Sequence, residues 1–400
     1  MEALKGIRVI DFSTYAFGPG ASAILGDWGA DVIKIEDPVT GDPWRGTLTV
    51  AGLPMGKINY IWEFDNRNKR SVAIDLKNEQ GKKIIYRMIE ESDVFLSNIP
   101  GESLTRLGLD YETLSKINPK LIYAHGSGYG EKGPEHWRLG FDYAAFWARS
   151  SIMNSLGEPG APPPQCLPAL GDHTSSMALA GGVGLALFVR ERTGIGQEVN
   201  VALLGTALWC NGISITAAGS TEELPKLSRK ESRNPLYNSY KCRDDKWLML
   251  VCLQSDRYWS SLCRVMGLED LERDRRFNNI ETRKENCTEL ISILDRTFST
   301  KDRMEWGKAF DENGILWTVV QSSKEAINDP QALANEFVVE VDHPVHGVFR
   351  NVSSPVRLSK TPPKITRVAP EHGQHTEEVL LEMGYSWDEI AVFKEAKAIL

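Results

Sequence analysis

The first 130 residues alternate short apolar strands with helix-forming stretches, and this rhythm limits the possible folds more than any other feature. IRVIDF at 7–12 reads as a strand, and the loop STYAFGPG follows. A helical stretch lies near 20–28, and ADVIKIE at 30–36 is a second strand. This β-loop-α-β opening implies a parallel sheet with crossover helices. NRNKRSVAIDLK (66–77) joins a basic turn to an alternating strand, and NEQGKKIIYRMIEE (78–91) has helical spacing. DVFLSN (93–98) is a further strand, followed by a turn at Pro100-Gly101 and a helix near 102–108. NPKLIYAHGSGYG (118–130) adds another strand and a glycine-rich loop. The expected fold class is α/β, with a doubly wound, Rossmann-like large domain. Such sheets bind ligands beyond the carboxyl ends of their strands, so loops 13–20, 98–101 and 125–140 form the expected ligand wall.

Residues 166–190, CLPALGDHTSSMALAGGVGLALFVR, pass from a Pro/Gly loop into an apolar helix expected from about Ser175 to Arg192. Thr174 and Ser175 are the expected N-caps, since their hydroxyls suit free N–H groups of a first turn. Asp172 then sits just ahead of a helix N-terminus, where the partial positive charge favours an ionised carboxylate. Two readings stand side by side. Either Asp172 only caps the helix, or it is an oxygen nucleophile, charged at neutral pH, on a rigid base.

TGIGQEVNVALLGTALW (193–209) reads as a glycine turn, a strand and a helix, completing the first part of a large domain over 1–218. Residues 219–236 are polar and broken by proline, which marks a linker. Residues 237–322 read as a smaller α/β domain. It holds a hairpin around Asp244-Asp245, two or three amphipathic helices and the strand ILWTVVQ at 315–321. Residues 323–400 are an expected return segment with C-terminal helices rejoining the large domain. Residues 340–365 are expected to be extended, the helices to break at Gly384, and Thr376 to serve as a cap.

Several functional classes are disfavoured. A net charge of −8 argues against a nucleic-acid partner. No apolar run reaches the roughly 18 residues that a membrane span requires. The six scattered cysteines form no CxxC pair, which fits reduced thiols in a cytoplasm. Gly18 and Gly20 lack the third glycine of a GxGxxG fingerprint, since position 23 is Ala. His343/His346 and His372/His375 are HxxH pairs without a third ligand nearby in sequence, so no metal site is expected. His173 reads as a base beside Asp172 or as a helix-start residue facing solvent or ligand. GSGYG at 126–130 has neither the GxSxG spacing of a nucleophile elbow nor a P-loop ending. Its glycines permit φ > 0, and its backbone amides suit close approach to an oxyanion. Lys69, Arg70, Lys77, Arg106 and Arg138 are either solvated surface or a shared anion site.

With these pieces placed, the chain resembles the class III CoA-transferases, the formyl-CoA and carnitine CoA-transferase family. The resemblance rests on LKGIRVIDF (4–12), GADVIKIE with GDPWR (29–45) and NKRSVAIDLK (68–77). It continues through GYGEKGP (128–134), LGDHTSSM (170–177), RERTGIGQEVNVALL (190–204) and EHGQHTEEVLLEMG (371–384). GFDYAAFWARSS (140–151) and RNPLYNSYKCRDDKW (233–247) look most like the branch acting on 2-hydroxyacyl and enoyl-CoA esters in amino-acid fermentation.

The resemblance implies a catalytic Asp172 that forms an aspartyl anhydride and then an aspartyl-CoA thioester. It implies CoA contacts at Ile74, Lys77, Asn98, Ile99, Arg106, Leu107 and Arg138. It also implies a CoA thioester as substrate with no tightly bound cofactor, and an interlocked homodimer. Tyr15, Ala16, Phe17, Phe141, Phe146, Trp147 and Tyr237 are the expected acyl pocket, since aromatic residues suit a hydrophobic acyl group. Two features depart from formyl-CoA transferase: Ala16 stands where that enzyme has a glutamine, and its glycine-rich lid has no counterpart. The related 2-methylacyl-CoA racemases need a histidine in a Gly-His-Asp motif, which here reads Gly140-Phe141-Asp142. Without it, two-base exchange at the α-carbon lacks a partner. Racemase, CoA-ester hydrolase and non-catalytic CoA-binding protein remain the alternatives.

Overall fold

The computed structural model describes residues 2–54, 56–221 and 223–400. The chain divides into two compact units, one of residues 1–153, 165–220 and 331–400, the other of residues 154–164 and 221–330. Most of the stretch expected as a linker falls within the second unit, together with a short segment from before Asp172.

In the first unit, β1 (Arg8–Phe12) leads into α1 (Phe17–Asp27) and β2 (Asp31–Glu36). α2 (Thr47–Val50) and α3 (Tyr60–Asn66) precede β3 (Lys69–Ala73), α4 (Glu79–Glu90) and β4 (Val94–Ser97). α5 (Gly101–Leu107), α6 (Tyr111–Ile117) and β5 (Ile122–Ser127) follow. Beyond a π-helical turn at Asp142–Ala148 come α7 (Ile152–Ser155), α8 (Leu170–Thr193), β6 (Gln197–Ala202), α9 (Leu203–Cys210) and α10 (Gly212–Ser220).

The six strands pair in parallel in the order β3-β2-β1-β4-β5-β6. Alternate residues face opposite sides, and both sides are buried, as a parallel sheet requires. Ile10, Ile33, Val72, Phe95 and Tyr123 pack with Ile84, Ile85 and Met88 of α4 and with Val379, Leu380, Ile390 and Phe393 near the C-terminus. Val9, Val32, Val94, Leu96 and Ile122 pack on the other side with Ala21, Ile24 and Leu25 of α1 and Leu179, Val183 and Leu187 of α8. The strand order reverses between β1 and β4. A crevice therefore opens beyond their carboxyl ends, between the loops Ser13–Ala16 and Asn98–Pro100.

Several local expectations change. α8 begins at Leu170, about one turn earlier than expected, so Asp172 lies inside its first turn. Thr174 donates back to the Leu170 carbonyl instead of capping. Gly18 and Gly20 lie within α1, where they allow close contact: a Cβ on Gly18 would meet Ser13 at 2.4 Å, and one on Gly20 would meet Ser176 Oγ at 2.7 Å. Gly126 and Gly128 are needed for the same reason rather than for positive φ, since a Cβ on Gly128 would lie 2.4 Å from Gly140 Cα. The stretch 340–365, expected to be extended, is so in its first part, where Val338–His343 pairs antiparallel with Gly347–Val352. His375, not Thr376, is the N-cap residue of the helix Thr376–Glu382; the Thr376 hydroxyl donates to the Gly373 carbonyl.

The second unit has a three-stranded antiparallel sheet of Ser239–Lys241, Trp247–Leu250 and Trp317–Val320. Five helices lie between its second and third strands, rather than two or three. Its core gathers Tyr240, Phe298, Trp306 and Phe310. Among the described residues, no helix is long and apolar enough to cross a membrane.

Candidate active site

A cleft of about 400 Å³ opens where the sheet topology places it. Thr14, Tyr15 and Phe17 line it after β1, Asn98–Ser103 after β4, and His125–Gly128 with Glu131 and His136–Phe141 after β5. Asp172 and Leu203 complete the wall. The three loops expected to bind ligand thus share one cavity with the expected nucleophile.

The loop after β1 is held by buried charge. Asn98 clasps Thr14 from both sides, accepting from its N–H at 2.9 Å and donating to its carbonyl at 2.8 Å. Tyr15 adopts φ +63°, a left-handed conformation that costs a bulky residue about 1–2 kcal/mol. Its N–H donates to Asp42 Oδ1 at 3.2 Å. The other Asp42 oxygen lies 2.8 Å from Lys34 Nζ, which also donates to the Ser13 carbonyl at 2.9 Å. Tyr15 packs edge-on against Trp44 and Phe141, with ring centroids 6.1 and 6.2 Å away.

Asp172 belongs to a small set of acids around one imidazole. Burial pushes its carboxyl up from 3.8 to about 7, and Asp142 and Asp65 add to the rise while His173 opposes it. The expectation of a fully ionised group at neutral pH is thereby corrected: near pH 7 both protonation states are populated. His173 does not simply face solvent. Its Nε2 lies 3.0 Å from Asp65 Oδ1, and its ring meets Phe64 edge-on at 4.8 Å. Burial lowers its pKa, but Asp65, Asp172 and Asp142 outweigh this and raise it overall.

His125, not singled out from the sequence, fastens two walls of the cleft. Its Nδ1 lies 2.9 Å from Glu131 Oε1 and its Nε2 2.9 Å from the Ile99 carbonyl. Both partners are acceptors, an arrangement that favours the doubly protonated ring. Burial disfavours that charge, but Glu131 and the Ile99 carbonyl prevail and raise the pKa.

The other expected site residues separate into groups. Tyr15, Phe17, Asn98, Ile99, Arg138 and Phe141 line the cleft with Asp172. Arg106 is exposed and donates to Ser103 Oγ, a neighbour that lines it. Lys77 is exposed, Leu107 packs on the core, and Ile74 is buried in a bridge to Ile399; none of these three lines this cleft. Ala16, Phe146 and Trp147 are buried, the last two in the core against α8, and none of them lines this cleft. Tyr237 is half-exposed and belongs to the second unit. Lys69 and Arg70 are structural cations: Lys69 pairs with Asp11 at 2.9 Å, and Arg70 binds Asp31, Glu378 and Glu382.

A second cavity, of about 370 Å³, is lined by His173 and Asp65 together with Trp44, Tyr60, Ile61, Phe64 and Phe349. These aromatics were not foreseen, although Trp44 stands in the GDPWR motif. His343 and His346 lie with ring centroids 4.6 Å apart and tilted by 40°, beside Glu63, and His372 bonds the Asp37 carbonyl. Among the described residues no group of three or more His, Cys, Asp or Glu is placed to hold a metal ion.

A parallel sheet with its switch-point cleft thus carries a half-buried aspartate on a helix first turn. Residues 4–376 match the model of CoA-transferase family III, and the chain belongs to that family. It is a CoA-transferase of class III, enzymes that take CoA thioesters as substrates. It is 36% identical over 400 residues to cinnamoyl-CoA:phenyllactate CoA-transferase of Clostridium sporogenes, covering 99% of this chain and 97% of that protein. It is 34% identical over 397 residues to (R)-2-hydroxy-4-methylpentanoate CoA-transferase of Clostridioides difficile, covering 99% of each. A CAIB/BAIF family protein from Brucella suis has the same fold, with a TM-score of 0.86 at 26% identity, over 96% of this chain and 99% of that one.

Proposed function

We propose that this enzyme moves coenzyme A between an acyl-CoA thioester and a free 2-hydroxy or enoyl acid, with Asp172 as the covalent carrier. The Asp172 carboxylate attacks the thioester carbonyl carbon, the C–S bond breaks, and CoA leaves as thiolate. The thiolate then attacks the aspartyl carbonyl of the mixed anhydride, releasing the first acid and leaving an aspartyl-CoA thioester. The incoming carboxylate reverses both steps. Four easier displacements replace one hard exchange. Each anhydride or thioester retains the activation of the last, so no external energy source is consumed.

The observation that carries this reading is the position of Asp172: a mostly buried carboxyl on a rigid helix turn, lining the switch-point cleft. Arg138 and Arg106 supply cations for CoA phosphates. Tyr15, Phe17 and Phe141 supply apolar area for the acyl group. The acids named in the two clostridial relatives, phenyllactate and 2-hydroxy-4-methylpentanoate, are of this apolar kind. To test the carrier role, the enzyme is incubated with one acyl-CoA and a panel of acids, then trapped with hydroxylamine or borohydride. New thioesters and an adduct on the peptide containing Asp172 are expected; new thioesters with no such adduct would refute it.

The nucleophile must be ionised, and its pKa is raised to about 7. The value of kcat/KM for the acyl-CoA is therefore expected to fall about tenfold per pH unit below 7 and to level off above it. A flat profile from pH 5 to 8 would contradict the assignment.

The homodimer is part of the same proposal. Leu185 and Phe188 on α8, Trp209 on α9 and Ile213 on α10 are large apolar groups between 57% and 86% exposed. Large exposed apolar groups on these consecutive helices support a protein interface there. Sedimentation at micromolar concentration should give twice the 44.7 kDa chain mass, and the pair Trp209→Asp and Ile213→Asp should shift it toward monomer. A wild-type monomer would refute the dimer.

A further inference from the structure

The Gly140-Phe141-Asp142 motif distinguishes this chain from the racemases, but the transfer steps above leave its aspartate unused. We infer that Asp142 is the positioning partner of Asp172, the two carboxyls forming one coupled pair across the start of α8. The inference rests on the proposed role of Asp172.

The geometry begins at Ala169. This N-cap residue of α8 has no side-chain acceptor and is held at φ +57°, a left-handed conformation that is strained for L-residues. Asp142, from the π-helical turn 29 positions before Gly171, supplies the missing acceptor: its Oδ1 takes the Gly171 N–H at 2.9 Å. Its other oxygen accepts from Trp147 Nε1 at 3.3 Å. A Cβ on Gly171 would lie 2.2 Å from Asp142 Oδ1 and from Phe146 Cγ. The carboxyl is therefore pressed against bare backbone one residue before Asp172, and it is 7% exposed.

An asparagine could accept the same N–H, so the charge needs a separate reason. The charged groups acting on Asp172 are Asp142 from the π-helical turn, Asp65 from α3 and His173 from its own helix. α1, packed along α8, carries one charged residue, Asp27, which is paired with Arg67. His173 is already bonded to Asp65. Asp142 is thus a second anion acting on the nucleophile; its bonded partners, the Gly171 and Ala169 backbone and the Trp147 indole, are neutral, and His173 is the cation acting on it. Two nearby carboxylates in a poorly solvated site resist simultaneous ionisation. That repulsion acts on the ionised resting state and vanishes when Asp172 becomes a neutral anhydride or thioester. The charge on Asp142 therefore favours acylation.

Asp142→Asn keeps an oxygen for Gly171 and removes the charge. The acid limb of its kcat/KM profile should move about one pH unit lower, and its plateau kcat should drop about tenfold, with KM for the acyl-CoA little changed. A superimposable pH profile would overturn the inference. A second measurement needs no turnover and also decides the matter if Asp142→Asn does not fold. In protein labelled with ¹³C at aspartate carboxyls, the Asp142 signal should show a second inflection at the Asp172 midpoint near 7, and that step should vanish in Asp172→Asn, because interacting carboxyls share their macroscopic titration steps. An Asp142 signal with no step near 7 in wild type refutes the pair even if acyl exchange is intact. A shared step in a protein that shows no exchange upholds the pair and removes only the transfer reading.

Discussion

Asp172→Ala and Asp172→Asn are expected to exchange CoA at least about ten-thousand-fold more slowly than wild type while still folding and binding CoA. Neither replacement can form an anhydride, and the cleft's other acids differ from Asp172: Glu102, on the first turn of α5, is exposed to solvent. Glu131 lines the same cavity, but it is engaged by His125, and that hydrogen bond leads in lowering its pKa. Folding and CoA binding should survive because the first turn of α8 is anchored elsewhere, by the Gly171–Asp142 bond and the Ser176 hydroxyl on the Phe17 carbonyl at 2.6 Å. Stability provides a second signature. A carboxyl whose pKa rises from 3.8 in the unfolded chain to about 7 in the fold is favoured there only while protonated. Its contribution is complete below pH 3.8 and is lost as pH rises through 7. Asp172→Asn escapes that loss, so it should match wild type near pH 4 and exceed it at pH 8, by about 4 kcal/mol at most. Urea unfolding at the two pH values measures the difference. Near-normal exchange by either variant would end the covalent reading, and equal stability of Asp172→Asn and wild type at pH 8 would show that the carboxyl carries no such strain.

The sequence reading succeeded where the signals were local. Apolar runs such as IRVIDF and DVFLSN became β1 and β4, and the parallel order then dictated which loops meet. It failed where a partner came from far along the chain. Thr174 and Ser175 look like caps for the helix ahead, but the acceptor that anchors that turn belongs to Asp142, so α8 starts about one turn early. Lys69 and Arg70 look like surface cations in a basic turn, but Asp11 on β1 and Asp31 on β2 take them inward. Phe146 and Trp147 have the composition of a pocket wall, but the π-helical turn directs them into the core, and Phe141 just before it stays at the cleft. His125 carried no motif at all. Its role needs the carbonyl of Ile99 and the carboxyl of Glu131, which only the fold brings together.

Lys69→Met is expected to destabilise the protein by about 3–5 kcal/mol, because it strands a buried anion beneath the cleft. Lys69 and Asp11 are both fully buried, on adjoining parts of the sheet. Lys69 Nζ donates to Asp11 Oδ2, the Pro19 carbonyl and Asn66 Oδ1, each at 2.9 Å. Asp11 also accepts from Ser22 at 2.6 Å and from the Ser13 hydroxyl, so one carboxylate ties together β1, α1 and the loop that carries Tyr15. Burial alone would raise the Asp11 pKa, but the Lys69 and Lys34 ammoniums with the two serine hydroxyls hold it at about 2. The sign follows: Asp11 stabilises the fold above its unfolded pKa of 3.8, and that contribution is lost as pH falls toward 2. Without Lys69 the carboxylate keeps one ammonium and loses the other, and its easiest escape is to take up a proton. Lys69→Met should therefore lose most stability at neutral pH and much less near pH 3, where Asp11 can be neutral at small cost. Adding Asp11→Asn should recover much of the loss, since removing both charges leaves nothing buried and unpaired. Exchange activity should fall in the single variant as the Ser13–Tyr15 loop loosens. Urea melts of both single variants and the double variant at pH 3 and 7 decide the matter: additive losses, or a pH-independent penalty for Lys69→Met, would show that the pair does not hold this wall of the cleft.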